Sequence, residues 1–341
     1  MSKIKFAVIG QGHIGKRHAE MIRRNEEAEL IAVCDSSSKE QTGLTDITEH
    51  YYTSIDKMIA SHPEIEVVSI CTPNGLHAQH ALKALEAKKN IICEKPMALT
   101  KADCETIIFK ALQVNKTVFC VMQNRYSPPS AWLKDIIENK IIGDVFMVQL
   151  NCYWNRDERY YKKGGWKGTQ ELDGGTLFTQ FSHFIDIMYW LFGDLKDIQA
   201  KFKDFNHSNL TEFEDSGLVN FNFMNGGMGC INYSTSVWDT NLESSITIIG
   251  SKGSVKVGGQ YMDKVEYCHI KDYTMPELAP TNAANDYGAY KGSANNHNYI
   301  FKNVIDTLKG RTTITTNAME GLKVVDIIER IYALRNEDRK S

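Results

Sequence analysis

Residues 8–15 read VIGQGHIG, and no other stretch limits the possible folds of this 341-residue chain so sharply. Gly10, Gly12 and Gly15 stand between an apolar, β-branched run, IKFAVIG, and a stretch with helical periodicity over about 13–24. A strand that turns directly into a helix needs small residues at these spacings. The first permits the tight turn, the second lets a ligand's phosphates approach the backbone, and the third lets the helix lie against the strand. The helix start offers unpaired N–H groups and the positive end of its dipole, which together receive an anion. Gln11, His13 and Ile14 complete the loop. The triplet becomes a strong signal only if the chain goes on to alternate strands and helices.

It does. ELIAVCD, EVVSICT, NIICEK and TVFCVMQ are short apolar runs separated by helical stretches near 54–61, 76–88 and 101–114. Strands without alternation are buried on both faces, as in a parallel sheet covered by helices. The expectation for residues 1–123 is therefore a doubly wound Rossmann domain. Beyond it the rhythm changes: DVFMVQLNCYW, GLVNFNFM, GMGCINYSTSV, SSITIIGS, GSVKVGG and KVEYCHI read as strands joined by hairpin-type turns such as Asn225-Gly226-Gly227. Residues 124–341 are expected to form a second α/β domain with an open, mostly antiparallel sheet, a helix over 175–192 and two late helices near 296–309 and 317–335. The segment 272–294, crowded with Pro, Gly, Asn and Tyr, is expected to be the least ordered. Alternating apolar residues such as Val219, Phe221, Phe223 and Ile231 suggest an uncovered sheet face that joins copies of the chain into a dimer or tetramer.

Thirty-nine Lys and Arg against 42 Asp and Glu leave a net charge of -3, with no basic run dense enough for a phosphate backbone. Nucleic acid is not an expected partner. The eight cysteines stand singly, without the close pairs of a metal knuckle, and are expected as reduced thiols in a cytoplasmic protein with no metal. The N-terminal apolar run is too short for a signal peptide or a membrane span, so no membrane partner is expected either.

Asp35 ends the second strand, 25 residues after Gly10. A carboxylate there accepts hydrogen bonds from both adenosine ribose hydroxyls and repels a 2′-phosphate, while Ser36, Ser37 and Ser38 bring no cation to offset that repulsion. The expected cofactor is NAD rather than NADP, with Ser36 beside its ribose. Ligands of doubly wound folds lie beyond the carboxyl ends of the strands, which aims Thr72, Pro73, Asn74, His77, Glu94 and Lys95 at the dinucleotide and at whatever reacts with it. Gln123, closing the last run, and Trp166, a flat surface for nicotinamide, join this set. His13 is counted with the loop, although a surface role is the simpler reading of both it and Lys16. Lys95 has the sharpest chemistry: beside a positive nicotinamide ring its ammonium is relatively acidic and polarises a hydroxyl as the proton leaves.

The run DGGTLFTQFSHFID at 173–186 places a histidine among phenylalanines. If it is one helix from Gly175 onward, Thr176, Thr179, Gln180, His183 and Asp186 share a polar face opposite Leu177, Phe178, Phe181, Phe184 and Ile185. Two roles for His183 stay open on the pattern alone: a core histidine satisfied by a neighbouring carboxylate, or an acid or base in a site.

Taken together, GQGHIG, CTPNGLHAQHA, EKP and the paired-glycine helix carrying a histidine resemble the glucose-fructose oxidoreductase, inositol dehydrogenase and rhizopine-catabolism family, Gfo/Idh/MocA. The likeness covers essentially the whole chain, and EKP about twenty residues after CTPN is far more specific than the glycines. It implies a Rossmann domain followed by an α/β domain with an open, mostly antiparallel sheet. It also implies that Lys95 matches the lysine of the EKP motif and His183 the catalytic acid or base. Many members carry an aspartate four residues before that histidine, where this chain has Thr179, so a three-residue catalytic set does not transfer. Asp186 reads equally as a partner that orients His183 and as a packing residue.

QNRYSP, the segment NCYWNRDERYYKKGGWKGTQELDGG and ANNHNYIFKNVIDTLKGR look like the branch that oxidises UDP-N-acetylglucosaminuronic acid at its 3′-hydroxyl, a step towards bacterial surface polysaccharides. A uronate and a diphosphate need cations, and Arg125, Arg156, Arg159, Lys162, Lys163 and Lys167 cluster here. The same residues also read as a solvated loop face. Tyr153, Trp154, Tyr160, Tyr161 and Trp166 offer flat surfaces for sugar, uracil or nicotinamide, or pack an interface. Thr179 and Gln180 are expected near the substrate. Asn295, Asn296 and His297 stand at a helix start, as contacts to a phosphate or sugar or as an ordinary cap. The expected activity is NAD-dependent oxidation of a sugar secondary alcohol. The alternatives are a dehydrogenase of a free sugar, inositol or sugar phosphate, and a dinucleotide-dependent sensor without turnover.

Overall fold

Five apolar runs and one short polar segment become the parallel strands of a six-stranded sheet. They are β1 (Ile4–Ile9), β2 (Ala28–Cys34), β3 (His50–Tyr52), β4 (Val67–Ile70), β5 (Asn90–Cys93) and β6 (Val118–Cys120) in this computed structural model, which describes residues 2–288 and 290–336. The strand order is β3-β2-β1-β4-β5-β6 and every pairing is parallel. Helices α1 (His13–Arg24), α2 (Lys39–Thr42), α3 (Ile55–Ser61), α4 (His77–Glu86) and α5 (Lys101–Gln113) connect the strands. All four residues of β4 are buried, as a strand covered on both faces requires. The order reverses between β1 and β4, the switch point of a doubly wound sheet, and the glycine turn after β1 opens there. Two pieces have no expectation behind them. The three-residue β3 is too short for a periodic signal, and α2 is a single turn closed by a capping box between Ser38 and Gln41.

Further along lie α6 (Pro128–Glu138), β7 (Val145–Tyr153), α7 (Thr176–Thr179), α8 (Ser182–Phe192), β8 (Leu195–Lys203), β9 (Ser216–Phe223) and β10 (Met228–Ser234). They are followed by β11 (Glu243–Gly250), β12 (Gly253–Gly258) and β13 (Lys264–Ile270), and the seven strands form one sheet in the order β13-β12-β11-β7-β10-β9-β8. Only the β7–β10 pair is parallel. The stretch expected to be least ordered contains a small ladder, β14 (Ala284–Asp286) with β15 (Lys291–Ala294). The last helices are α9 (His297–Leu308) and α10 (Ala318–Ala333). No helix among the described residues is long and apolar enough to cross a membrane.

Two expectations need correction. The helix foreseen over 175–192 is two helices, broken at Gln180 and Phe181. The break turns the fully buried Phe181 ring towards Trp154 and Tyr233, at 5.3 and 5.8 Å between ring centres. The polar residues expected on one helix face are therefore divided between α7, the break and α8, and α8 is buried nearly all round. Second, Val219, Phe221, Phe223 and Ile231 are buried within the chain, with Phe192 of α8 5.1 Å from Phe223, so they are not the face that joins copies. Period-2 alternation tells which residues share a face but not which face meets solvent. The exposed apolar strip on this sheet is instead Met147 with its cross-strand partners Met228 and Ile249.

The chain divides into compact units as Met1–Met122 with His297–Val325, and Gln123–Asn296 with the residues from Asp326 on. Residues 297–325, within the stretch expected as the second domain, pack with the first unit. Packing explains why. α9 buries Ile300, Phe301, Val304 and Ile305, with the Phe301 ring 6.2 Å from Phe6 and edge-on to His18 at 5.1 Å. Glu27 takes ion pairs from Lys309 and Arg311, and Thr316 Oγ1 donates to the Cys120 carbonyl at 2.6 Å.

Candidate active site

In the first unit the glycine turn is fixed by sterics. A Cβ on Gly10, whose φ is +87°, would lie 2.5 Å from the Cys71 carbonyl oxygen, and one on Gly15 would lie 1.7 Å from that of Gly10. A Cβ on Gly12 would meet nothing within 4 Å, so that side of the turn is open. The Gln11 amide donates to Asp35 Oδ2 at 2.6 Å and the Ser37 amide to Oδ1 at 2.9 Å. Asp35 is thereby held at the end of β2, and each oxygen keeps a second lone pair for a ribose hydroxyl. An open backbone turn at a helix N-terminus with a fixed carboxylate beside it fits a dinucleotide. Ser36 and His13 are exposed and Ile14 half-buried at the rim of this turn.

The strand ends beyond it are braced from behind. The fully buried His77 places Nδ1 2.7 Å from the Pro96 carbonyl and Nε2 2.8 Å from that of Thr72, tying the turn at Thr72, Pro73 and Asn74 to the turn after Lys95. Burial pushes the His77 imidazole below its ordinary value, so near neutrality it donates to only one of the two carbonyls. Thr72 Oγ1 lies 3.0 Å from His80 Nδ1. Glu94, also buried, has Oε1 2.9 Å from His18 Nε2 and 3.6 Å from His297 Nε2, while Oε2 accepts the Lys95 amide at 3.2 Å. Burial alone would raise the Glu94 carboxyl, but the His18 and His297 imidazoles outweigh it and hold the group well below the usual range. His297, expected as a sugar or phosphate contact, is therefore a buried neighbour of Glu94 in the first unit. Sequence reasoning missed His18, and nothing in its spacing announces that it meets a residue 76 positions later.

In the second unit His183 is buried in the first turn of α8. The two residues before Phe181 reach back to the loop ahead of α7: Thr179 Oγ1 donates to the Asp173 carboxylate, and Gln180 Oε1 accepts Arg156 Nε at 2.7 Å. Asp186 receives a two-pronged pair from Arg125, Nε to Oδ2 at 2.9 Å and Nη2 to Oδ1 at 2.5 Å, with both side chains buried. The Arg125 guanidinium, expected near the substrate, is thus paired with Asp186, one turn beyond His183. Arg159 is likewise engaged, by Asp157 at 2.7 Å and Asp239 at 3.1 Å. Asn296 is a buried brace, its amide donating to Ser127 Oγ at 3.0 Å and the Gln123 carbonyl at 3.3 Å. Gln123 itself donates to Ser293 Oγ at 3.5 Å, and Tyr153 and Trp166 are half-buried.

Asp173, to which no role was given from sequence, lies at the DGG signal just before α7. Oδ2 accepts the Gly168 amide at 2.8 Å, and burial pushes the carboxyl up from 3.8 to about 6 against Thr179, Gly168 and Lys167, which favour its charge. Because the folded value stands above the unfolded one, the folded chain keeps a proton that the unfolded chain has lost between about pH 4 and 6. Stability is therefore highest below this window and falls as pH rises through it, by roughly 3 kcal/mol at most. Asp173→Asn is expected to flatten that fall; urea unfolding of both proteins at pH 5 and pH 7.5 checks it, and parallel pH dependences would refute the assignment.

Residues 4–122 match the oxidoreductase family's NAD-binding Rossmann fold, and residues 134–341 match the same family's C-terminal α/β domain. The chain belongs to the Gfo/Idh/MocA oxidoreductase family. As a member of it, the protein is an NAD-dependent oxidoreductase. Solved structures similar to it over nearly their full length include the WlbA dehydrogenase from Bordetella pertussis in complex with NADH and UDP-GlcNAcA. That protein is 29% identical, with 97% of this chain and 96% of that one covered and a TM-score of 0.87. The WlbA dehydrogenase from Chromobacterium violaceum, also with NADH and UDP-GlcNAcA, is 31% identical over 99% of this chain and 95% of its own, with a TM-score of 0.85. Inositol 2-dehydrogenase of Salmonella typhimurium is 32% identical over 223 residues, 63% of this chain and 62% of that protein.

Proposed function

We propose that this Gfo/Idh/MocA protein oxidises the 3′-hydroxyl of UDP-N-acetylglucosaminuronic acid in the assembly of a bacterial surface polysaccharide. The observation that carries the reading is the near-complete likeness to the two WlbA dehydrogenases that hold UDP-GlcNAcA. Bound NAD supplies the hydride acceptor. The backbone of Gly10, Gln11 and Gly12 takes the pyrophosphate, and Asp35 binds the adenosine ribose. His183 accepts the hydroxyl proton as the carbinol hydrogen leaves, and the Lys95 ammonium steadies the developing alkoxide. Glu94, ionised and bonded to the Lys95 amide, holds that lysine's backbone from behind. Thr179 and Gln180 line the approach to His183. The enzyme works in the cytoplasm as a dimer or tetramer, with the Met147, Met228 and Ile249 strip as the self-association surface.

A second reading, oxidation of a free polyol, is favoured by the likeness to inositol 2-dehydrogenase. A panel of UDP-N-acetylglucosaminuronate, UDP-N-acetylglucosamine, free glucuronate, glucose and inositol, each with NAD and with NADP, separates the two at the reduced-nicotinamide absorbance. The UDP-uronate with NAD is expected to give the highest kcat/KM. Preference for inositol or any free sugar would replace this reading with the second.

A further inference from the structure

The cations of the basic segment are not equivalent. Arg125 has Asp186, and Arg159 has Asp157 and Asp239. Lys162 and Lys163 are exposed to water, where a charge needs no partner. Arg156 and Lys167 differ from all of these. Arg156 is 2% exposed, and its guanidinium meets only uncharged oxygens: those of Gln180 and Asn241 and the carbonyls of Asn155 and Lys291, at 2.5 to 3.1 Å. Lys167 sits in an aromatic cage, with Nζ 3.8 Å from the centre of the Tyr160 ring, 4.9 Å from that of Tyr290 and 3.2 Å from the Tyr290 hydroxyl. Neither has a carboxylate within ion-pair distance among the described residues.

The acid whose charge reaches Lys167 is Asp173, and its oxygens are already committed to Gly168 and Thr179. Desolvation presses both groups towards neutrality, Asp173 up to about 6 and Lys167 down to about 8, where Arg156 adds to the push. Buried charges are normally paired, because each loses its hydration without recompense otherwise. A buried cation, Arg156, and a half-buried one, Lys167, facing one reluctant carboxylate leave an excess of positive charge that a mobile anion would satisfy. The cluster is also joined to the reactive helix: Arg156 bonds Gln180 and Asp173 bonds Thr179, three and four residues before His183.

We propose that Lys167, backed by Arg156, receives the carboxylate of an acidic sugar and makes this protein select sugar acids over their neutral counterparts. The choice of a carboxylate rests on the uronate reading above, while the charge imbalance stands without it. A compact ammonium between ring faces suits a small planar monoanion with a sugar alongside, whereas a diphosphate calls for several donors. Aromatic faces also strengthen the attraction by keeping water out.

The test is a ratio of kcat/KM, acid over neutral, measured for two pairs: UDP-N-acetylglucosaminuronate against UDP-N-acetylglucosamine, and glucuronate against glucose. In the native enzyme the ratio is well above one. Lys167→Met and Lys167→Gln lower it by about 10- to 100-fold, the worth of a charge-assisted hydrogen bond, mainly through KM, and Lys167→Arg restores most of it. Because a ratio does not depend on how much enzyme is folded, partial loss of folding cannot imitate the effect. A ratio unchanged in both neutral variants, or a native enzyme indifferent to the acid group, overturns the proposal. If the native enzyme prefers glucuronate to glucose without any need for the nucleotide, and Lys167→Met abolishes that preference, the nucleotide-sugar reading falls and the anion site stands.

Discussion

Alanine in place of His183 is expected to cut turnover by about 10²- to 10⁴-fold, the usual worth of a positioned general base. Little else should change. His183 lies in the first turn of α8 in the second unit, whereas the glycine turn and Asp35 that hold the dinucleotide belong to the first. NADH affinity, measured by fluorescence titration, should therefore stay within a few-fold of the native value while kcat falls. Removing a base whose work is done only in the transition state lowers kcat and kcat/KM together and leaves KM nearly alone. Retention of more than about half the native turnover would end the assignment of His183. A large loss of NADH binding would instead mark it as a structural residue.

The second large effect concerns stability. Arg125→Met removes the two-pronged ionic partner of a carboxylate that is wholly out of water, since the Asp186 side chain is 0% and that of Arg125 4% exposed. Breaking one side of a buried pair costs about 3–5 kcal/mol, because the charge left behind keeps the cost of its burial and loses the ion that offset it. Urea denaturation should show the midpoint shifted accordingly. The control is the double variant Arg125→Met with Asp186→Leu, which takes both charges away and should recover much of the loss, as apolar replacement of a whole buried pair is often neutral or better. A single variant that loses less than about 1 kcal/mol would show that the pair is not sealed from solvent. Asp186 sits one turn beyond His183, so a shifted pH–rate profile in Asp186→Asn would further show that the pair tunes the histidine's charge as well as its place.

Local sequence disclosed those parts of the molecule whose causes are local. Gly10, Gly12 and Gly15 are dictated by a turn with no space for a side chain at two of them, and Asp35 by its position at the end of the next strand. The apolar runs of the Rossmann sheet announced themselves because strands buried on both faces need no partner to be recognised. Where a side chain's meaning depends on a distant residue, the sequence was mute. Arg125 read as a substrate cation because nothing near it shows Asp186, 61 residues away, taking up its charge. His297 read as a ligand contact, yet it is packed beside Glu94 and His18 by the return of α9 to the first unit. The broken helix at Gln180 and Phe181 illustrates a different failure: helical spacing continues through the break, and only the pull of Phe181 towards Trp154 and Tyr233 reveals it. The resemblance carried the family, but it did not distinguish Lys167 from its basic neighbours.

The division of the first unit into two stretches of chain bears on how the protein is made. Residues 1–122 leave the ribosome early, yet α9, which lays Phe301 against Phe6 and His18, follows only after 123–296 have been synthesised. At about 5–20 residues per second that interval is roughly 10 to 35 s. During it the nascent nucleotide-binding half carries a bare apolar flank, open to chaperones, proteases and sticky neighbours alike, and a gene cut after codon 122 would yield a fragment that never closes it.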